Sequence, residues 1–426
     1  MINVKKWIGS RKTDHDLMLL LMIGGFYSLS IALSNTFVNV YLWKQSGELI
    51  DLGLYNLFIV IFQPLAFIIA GKVSKKIDRV VVLRLGVSFL AAFFLTVLVL
   101  KDQAVNYMYL LGAIIGIGYG FYWLAFNVLT FEITEPETRD FFNGFLGILT
   151  SLSGMIGPML AGLIISRLTN TIGYKVIFAV SLMLFTVAVM LSFFFTSRKA
   201  HGDYILLKII QERKRNKNWR LITNAHVFQG LREGTFTFFI NVFVYIVTKS
   251  EMALGTFSFL NSFVAFFTYI VASRWITKKM RKKAILAGGL MLYFSLFLIL
   301  FQISYERLLI YAIAIGIAYP ILLVPYSSIT YDVIGKGWNI AQARIEYIVV
   351  REIFLNAGRI LSILFFIFTV ALTNETKTIP FLLLLIGSGH AFIYLFVKQI
   401  RLKESNRPLK QEKRIHRPNL ADGEKG

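Results

Sequence analysis

Residues 113–132 read AIIGIGYGFYWLAFNVLTFE, and a diverged copy of this stretch returns in the second half of the chain. Glycines, an aromatic residue and a terminal acid recur at a shift of 200 positions. The aligned pairs are Gly116 with Gly316, Tyr119 with Tyr319, Thr130 with Thr330, Phe131 with Tyr331 and Glu132 with Asp332. One apolar helix with a polar end is used twice, which predicts a duplicated structure.

The repeat continues on the N-terminal side of this stretch at a shift of 202 positions. FVNVYL at 37–42 aligns with FINVFV at 239–244, and Arg79 and Gly86 align with Arg281 and Gly288. Matches spread this widely, with few insertions between them, predict two homologous halves that join near residue 210.

The composition is that of a membrane protein. Hydrophobic residues make up 56% of the chain and charged residues 16%, whereas soluble proteins are about half apolar and about a quarter charged. A bilayer core of about 30 Å needs about 20 apolar residues per helix. Twelve such runs, six in each half, lie at 17–43, 51–71, 80–100, 107–131, 141–166, 174–196, 221–247, 252–276, 284–304, 308–333, 345–372 and 379–397. Alternating strand patterns are absent, so we predict an all-α polytopic protein with twelve transmembrane helices.

Several classes of function lack their sequence signatures. The chain contains no cysteine, which excludes disulfides and thiolate metal sites, and it has no G-x-x-x-x-G-K-[ST] loop for ATP. Its histidines lack the spacing of metal ligands. The first apolar run is too long for a signal peptide, so we expect it to remain as a span. We therefore predict no enzyme activity, no cofactor and no metal site.

The formal charge of +22 is confined to alternate loops. Lysines and arginines crowd residues 1–12, 72–79, 198–220, 274–283 and 398–417, while the intervening loops carry one or two each. The positive-inside rule then predicts a cell-membrane protein whose termini and central loop are cytoplasmic. Attraction to anionic lipid accounts for the charge, so we expect no nucleic acid partner. Binding of a partner by residues 208–220 or by the tail stays open as an alternative.

These features divide the chain into five parts. We predict an N-terminal segment at 1–16, a first six-helix bundle at 17–197, a basic linker at 198–220, a second bundle at 221–397 and a basic tail at 398–426. We expect the protein to act as a monomer in the lipid bilayer.

This arrangement resembles the major facilitator superfamily of secondary transporters, and the resemblance covers the chain to about residue 397. The family's loop motif after the second span reads GKVSKKIDR at 71–79 here, where Gly71, Ser74, Lys76 and Arg79 fit. The usual aspartate is replaced by Lys75. The resemblance implies two six-helix halves with pseudo-symmetry and a substrate site between them.

The resemblance also implies an inner gate made of charged residues. Glu132, with Arg139 seven positions later, is similar to the acid and base at the inner end of the family's fourth span. Glu132 is expected to pair with Arg79 or Arg139 when the protein is closed to the cytoplasm. In the second half the corresponding acid is Asp332, for which Arg281, Lys336 or Arg344 could supply the partner.

A third match lies in the fifth span. Gly144, Ser153, Gly157, Pro158, Ala161 and Gly162 follow a motif similar to that of the drug:proton antiporter branch, with two of its glycines replaced. Independently of any family, small residues four positions apart let helices approach closely, and a proline removes one backbone hydrogen bond. The same small residues could simply form a packing surface between helices, so the motif favours export only mildly.

Charged residues inside the spans are the strongest functional signal, because each costs about 3 kcal/mol at the bilayer centre. Arg232 and Glu233 must lie within the seventh span, since too few residues follow them to cross a membrane. Helical periodicity places a stripe of polar residues on one face. Its members are His226, Gln229, Glu233 and Thr237, with Asn241 near the margin.

The eleventh span carries a second polar face, made of Glu352, Asn356 and Arg359. A static ion pair that holds the second half together is the alternative to a functional site. Glu233 is the first candidate for proton coupling and Glu352 the second, because the first span contains only neutral polar residues such as Asn35 and Asn39.

The first half supplies candidates for a substrate cavity. Tyr119, Tyr122, Trp123 and Phe126 share one helical face, which could line a cavity or simply pack against neighbouring helices or lipid. The pair Gln63-Pro64 is expected to break the second span at mid-depth.

The leading hypothesis is a secondary transporter that exports a small organic amphipathic compound in exchange for protons by alternating access. Uptake or exchange of a small organic anion is the second, since Arg232, Arg351 and Arg359 suit an anion. A scaffold or sensor that does not transport is a third, which the insertion cost of the deep charges argues against.

Overall fold

The structure, a computed structural model, describes residues 11–401 except 135, 169–170, 199–201, 301–303 and 374, and omits the side chains at 11–14, 131, 136–141, 143–144 and 375–377. The described part of the first half is entirely helical between short turns. Its helices are α1 (Arg11–Ser46), α2 (Leu49–Lys76), α3 (Arg79–Leu100), α4 (Met108–Ile133), α5 (Pro136–Arg167) and α6 (Ile172–Ser192), with a 3₁₀ helix at Lys101–Tyr107.

The second half repeats this plan after a short linker helix, α7 (Leu206–Arg215). Its helices are α8 (Lys217–Thr248), α9 (Glu251–Trp275), α10 (Arg281–Phe294), α11 (Phe297–Leu300), α12 (Tyr305–Gly335), α13 (Ile340–Leu372), α14 (Glu375–Gly387) and α15 (Gly389–Val397). The short helices pair up, because α10 with α11 and α14 with α15 each make one span.

The number of spans predicted from the sequence is confirmed. Eleven described stretches are long and apolar enough to cross a membrane, and one of them, Arg79–Thr130, contains both α3 and α4. The described chain thus has twelve spanning helices. We call the end of the bundle where α6 ends and α8 begins the linker end, and the opposite end the far end.

The two halves pack by the same plan. Helix α1 contacts α5 and α6, as α8 contacts α13 and α15, and α4 lies against α2 and α3, as α12 lies against α9 and α10. The largest contacts between the halves are two equivalent helix pairs, α5 with α9 and α2 with α13, and α1 also contacts α8. This symmetry follows from the repeat, because equivalent sequences bury equivalent faces.

The repeated glycines make the same close approach in both halves. A Cβ atom on Gly116 would lie 2.6 Å from the carbonyl oxygen of Ile59, and one on Gly316 would lie 2.8 Å from that of Asn261. Gly86 and Gly288 are likewise pressed against the backbone nitrogens of residues 122 and 322. None of these four positions has room for a side chain, which explains why the repeat has glycine at each of them.

One detail differs from the sequence-based expectations. Helix α2 runs unbroken through Pro64, so the predicted break at Gln63-Pro64 is wrong. Gly120 of α4 packs tightly against the carbonyl of Gln63, and such packing holds a proline-containing helix together. The linker contains helix α7, and Trp219 Nε1 of α8 donates to the carbonyl of Ile209 at 3.1 Å, which docks α7 on the second half.

Candidate functional site

A central cavity of about 460 Å³ lies between the halves. Helices α1, α2 and α4 form one wall, and α8 and α13 form the other. Nine of the predicted residues line it: Asn35, Asn39, Gln63, Tyr119, Trp123, Glu233, Thr237, Glu352 and Arg359. The cavity therefore combines an aromatic and amide surface from the first half with a charged surface from the second.

Glu233 is the centre of the charged wall. Its Oε2 accepts from the Arg359 guanidinium at 2.7 Å, which ties α8 to α13. Its Oε1 accepts from Gln229 Nε2 and from the Tyr319 hydroxyl, each at 2.8 Å. Three donors on three helices thus satisfy one carboxylate at mid-span, as a buried charge requires.

Small residues bring these groups together. Gly230 and Gly234 of α8 lie against the backbone of α13, and Gly358 of α13 lies against the carbonyl of Val227. At such short separations the Arg359 side chain can reach Glu233. The polar stripe along α8 continues with Thr237, whose hydroxyl donates to the carbonyl of Glu233 at 2.6 Å, and Asn241, which donates to the carbonyl of Thr237 at 3.2 Å.

The second coupling candidate has a different environment. Glu352 accepts from Arg351, its neighbour in sequence, at 2.6 Å, and its own partner therefore lies on the same helix. Asn356 is fully buried, and its Oδ1 accepts from Arg359 at 3.4 Å. The predicted polar face of α13 is thus continuous, but only Arg359 connects it to Glu233.

The predicted aromatic face of α4 is split between two roles. Tyr119 and Trp123 line the central cavity, and the Tyr119 hydroxyl donates to Asn35 at 3.3 Å. Tyr122 and Phe126 are buried in the first half, so their assignment to the cavity is corrected. Tyr122 stacks on Tyr27 with ring centroids 4.0 Å apart, because this edge of the face turns toward α1.

Two further cavities of the second half are lined by four other predicted residues, Arg232, Asn241, His226 and Gln229. Arg232, Thr237 and Asn241 line a chamber of about 360 Å³ between α8, α9 and α12, which we call the side chamber. His226 and Gln229 line a cavity of about 190 Å³ that also contains Arg351 and Glu352. Glu233 lines both the central cavity and the side chamber.

Charged residues of the predicted inner gate meet at the linker end. Arg79 Nε lies 2.5 Å from Glu132 Oε1, and Arg281 donates to Asp332 at 2.8 Å, so the repeat forms the same pair in each half. Arg344 lines a vestibule of about 790 Å³ with Arg79 and Glu132. The side chain of Arg139 lies outside the described residues.

Ion pairs between described residues connect the halves at both ends of the bundle, and sequence reasoning missed them. Lys75 of α2 lies 2.5 Å from Glu346 of α13 at the linker end. The linker takes part, because Lys75 also donates to the carbonyl of Asp203 at 2.9 Å and the Ile205 N–H donates to Glu346 at 3.0 Å. Burial and the charge of Glu346 both raise the pKa of the nearby Tyr204 phenol. We call this set of contacts the linker latch.

At the far end the carboxylate of Glu251 joins the halves. Glu251 of α9 accepts from Lys44 of α1 and from the hydroxyl of Tyr174 of α6, each at 2.9 Å. Trp43 and Tyr245 pack beside this pair with ring centroids 6.0 Å apart. The sequence offered a hint of both ion pairs, since Lys75 departs from the family motif and Glu251 is an acid at a span boundary.

Comparisons with known proteins agree with this architecture. The family model described as Major Facilitator Superfamily matches residues 17–341. The chain is 59% identical over 430 residues to the uncharacterized protein YqgE of Bacillus subtilis (strain 168), and the match covers both chains completely. It is 63% identical over 174 residues to an uncharacterized protein in the sodM 3' region of Geobacillus stearothermophilus, covering 41% of this chain and 81% of that one.

Solved transporters share the fold at low identity. The human organic anion transporter MFSD10 (TETRAN) superposes with a TM-score of 0.67 and 13% identity, covering 91% of this chain and all of that one. A mutant of the nucleoside transporter NupG gives the same TM-score and identity, covering 90% of this chain and all of that one. With its duplicated bundle, its cavity between the halves and its match over most of the sequence, this chain belongs to the major facilitator superfamily.

Proposed function

We propose that the protein is a proton-coupled secondary transporter that exports a small organic amphipathic compound. The central cavity supports this proposal, because rings and amides on one wall face charged groups on the other. Its volume of about 460 Å³ falls within the range of about 300–1,000 Å³ that small-molecule sites occupy.

Alternating access would use the ion pairs at the two ends. The linker latch joins α2 to α13, and Glu251 joins α9 to α1 and α6. Rocking of one half against the other can open one end while the other stays closed. Each opening then requires one set of cross-half contacts to break, and only the pairs at that end are lost.

The observation that carries the coupling proposal is the placement of Glu233. Its carboxylate holds Arg359 across the interface of α8 and α13 at 2.7 Å. A proton on Glu233 removes the charge that attracts Arg359, so protonation frees both side chains and changes the charge of the cavity wall. Glu352 is the weaker candidate, since its ion pair stays within one helix.

A transport assay with an imposed pH gradient tests this proposal. The probe is a compound that stabilises the purified protein in a thermal-shift screen of amphipathic organic molecules. Antiport predicts that proteoliposomes with an acidic interior accumulate the compound. Glu233→Gln should keep exchange of labelled for unlabelled compound but lose accumulation. Glu306→Gln, the control, changes an exposed carboxylate at the start of α12 and should still accumulate the compound.

Three results would separate the hypotheses. Accumulation by Glu233→Gln at the parent rate would place coupling elsewhere. Accumulation only with an alkaline interior would favour the second candidate, uptake of an organic anion together with a proton, which the arginines in the cavities support. Absence of flux for every stabilising compound would favour a scaffold or sensor.

A further inference from the structure

Arg232 is a buried cation without a carboxylate partner among the described residues. It is 5% exposed, and its Nε has no hydrogen-bond partner. Its guanidinium lies 4.6 Å from the centre of the Phe236 ring, a cation–π contact, and it also interacts with the hydroxyl of Tyr311. Both partners are neutral, so neither supplies a counter-charge. By contrast, Arg351 and Arg359 each form an ion pair.

The adjacent Glu233 does not neutralise Arg232. Its oxygens accept from Arg359, Gln229 and Tyr319, so its charge is already compensated by a different arginine. The charged lining residues of the side chamber are Arg232 and Glu233. Because Glu233 is paired with Arg359, which does not line this chamber, the positive charge of Arg232 is left without a counter-charge. A buried charge of this kind is costly until an anion pairs with it.

The rest of the side chamber suits an organic body. Phe236, Phe257 and Ile315 supply apolar surface, and Asn241 and Asn261 supply amides. The volume of about 360 Å³ is at the small end of the range for ligand sites, which is about 300–1,000 Å³. A compact anion with an aromatic or branched apolar part matches these walls.

The position of Arg232 argues against a lipid headgroup as the anion. Helix α8 has 32 residues, and Arg232 lies at its middle. At 1.5 Å per residue, about 23 Å separate it from either end of the helix. Phosphate groups of lipids lie at the membrane surface, so a freely diffusing organic acid is the better match.

We propose that Arg232 binds the carboxylate of a small organic anion in the side chamber, with the apolar part of the anion against Phe236 and Phe257. This names the class of compound for the transporter proposed above and rests on that function. Because the chamber shares Glu233 with the central cavity, the bound anion lies beside the coupling candidate.

Equilibrium binding of radiolabelled benzoate to the full chain in phosphatidylcholine nanodiscs tests the proposal. Arg232→Gln should weaken binding about tenfold or more, since hydrogen bonds to charged groups contribute at least that much. Arg232→Lys keeps the charge and should lose less. Asn261→Asp places a carboxylate on the chamber wall without changing side-chain size, and should weaken binding by a similar factor even if Arg232→Gln fails to fold.

Arg274→Gln is the control, because it removes an exposed arginine from the end of α9 and should bind benzoate like the parent. Benzamide and benzylamine should compete poorly. Parent affinity in both Arg232→Gln and Asn261→Asp, equal competition by benzamide, or no benzoate binding by the parent would overturn the proposal. Displacement of benzoate by added phosphatidylglycerol would assign the site to lipid phosphate and overturn it too.

The assay uses no gradient, so its failure is separable from failure of proton coupling. If benzoate binding does not depend on Arg232 while Glu233-dependent accumulation persists, only the anion site is refuted.

Discussion

Replacing Lys75 with methionine should open the linker end of the protein. The side chains of Lys75 and Glu346 are 8% and 0% exposed, so the variant leaves a buried carboxylate without its cation. Breaking a buried pair in this way costs about 3–5 kcal/mol. We expect about 3 kcal/mol, since the Ile205 N–H still donates to Glu346. At 1.4 kcal/mol per factor of ten, the ratio of open to closed protein rises about 100-fold.

Cysteine labelling measures this shift, because the chain has no native cysteine. A cysteine at Asn127, which lines the central cavity, should react with N-ethylmaleimide much faster in Lys75→Met than in the parent. Lys76→Met removes the exposed neighbouring lysine and should leave the rate unchanged. Adding Glu346→Leu to Lys75→Met should restore a slow rate, since an apolar pair replaces the ionic one. Equal rates in Lys75→Met and the parent would refute the latch.

Two other predictions concern packing and orientation. Gly116→Leu and Gly316→Leu should each destabilise the protein by about 1–3 kcal/mol, measured as a lower Tm, because a side chain would collide with the carbonyl of Ile59 or Asn261. Gly147→Leu is the control, since no atom lies within 4 Å of a Cβ there, and equal Tm values for all three would contradict the packing argument. Single cysteines at Lys76, Asn216 and Lys410 should react only from the cytoplasmic side, and labelling of residue 216 from outside intact cells would reverse the predicted topology.

The fold was predictable because it depends on local and repeated signals. Apolar runs mark the spans, and the glycines of 113–132 and its copy mark the contacts between α4 and α2 and between α12 and α9. Helix periodicity also placed the stripe of Glu233 correctly on one face of α8. What periodicity could not decide was which half of an aromatic face turns toward a neighbour, and Tyr122 and Phe126 were misassigned for that reason.

The cross-half contacts could not be predicted by the same means. Lys75 and Glu346 are 271 residues apart, and the repeat places a threonine, Thr277, at the position equivalent to Lys75. The mismatch marks Lys75 as unusual, but the repeat does not identify the residue that pairs with it. The pairing of Glu233 with Arg359 was foreseen only as two charged faces, since the approach of α8 to α13 depends on Gly230 and Gly358.

Because of the linker latch, cutting the chain between the halves should affect the two ends of the bundle differently. Asp203 and Ile205 bond to the ion pair at the linker end, whereas the far end closes through Glu251 with no linker residue involved. A protease nick within the linker, or expression of the protein as two separate pieces, should therefore weaken closure of one end only. Such a split protein would still assemble through α2 with α13 and α5 with α9, and the Lys75–Glu346 pair would remain, but its linker end should open more often than in the intact chain.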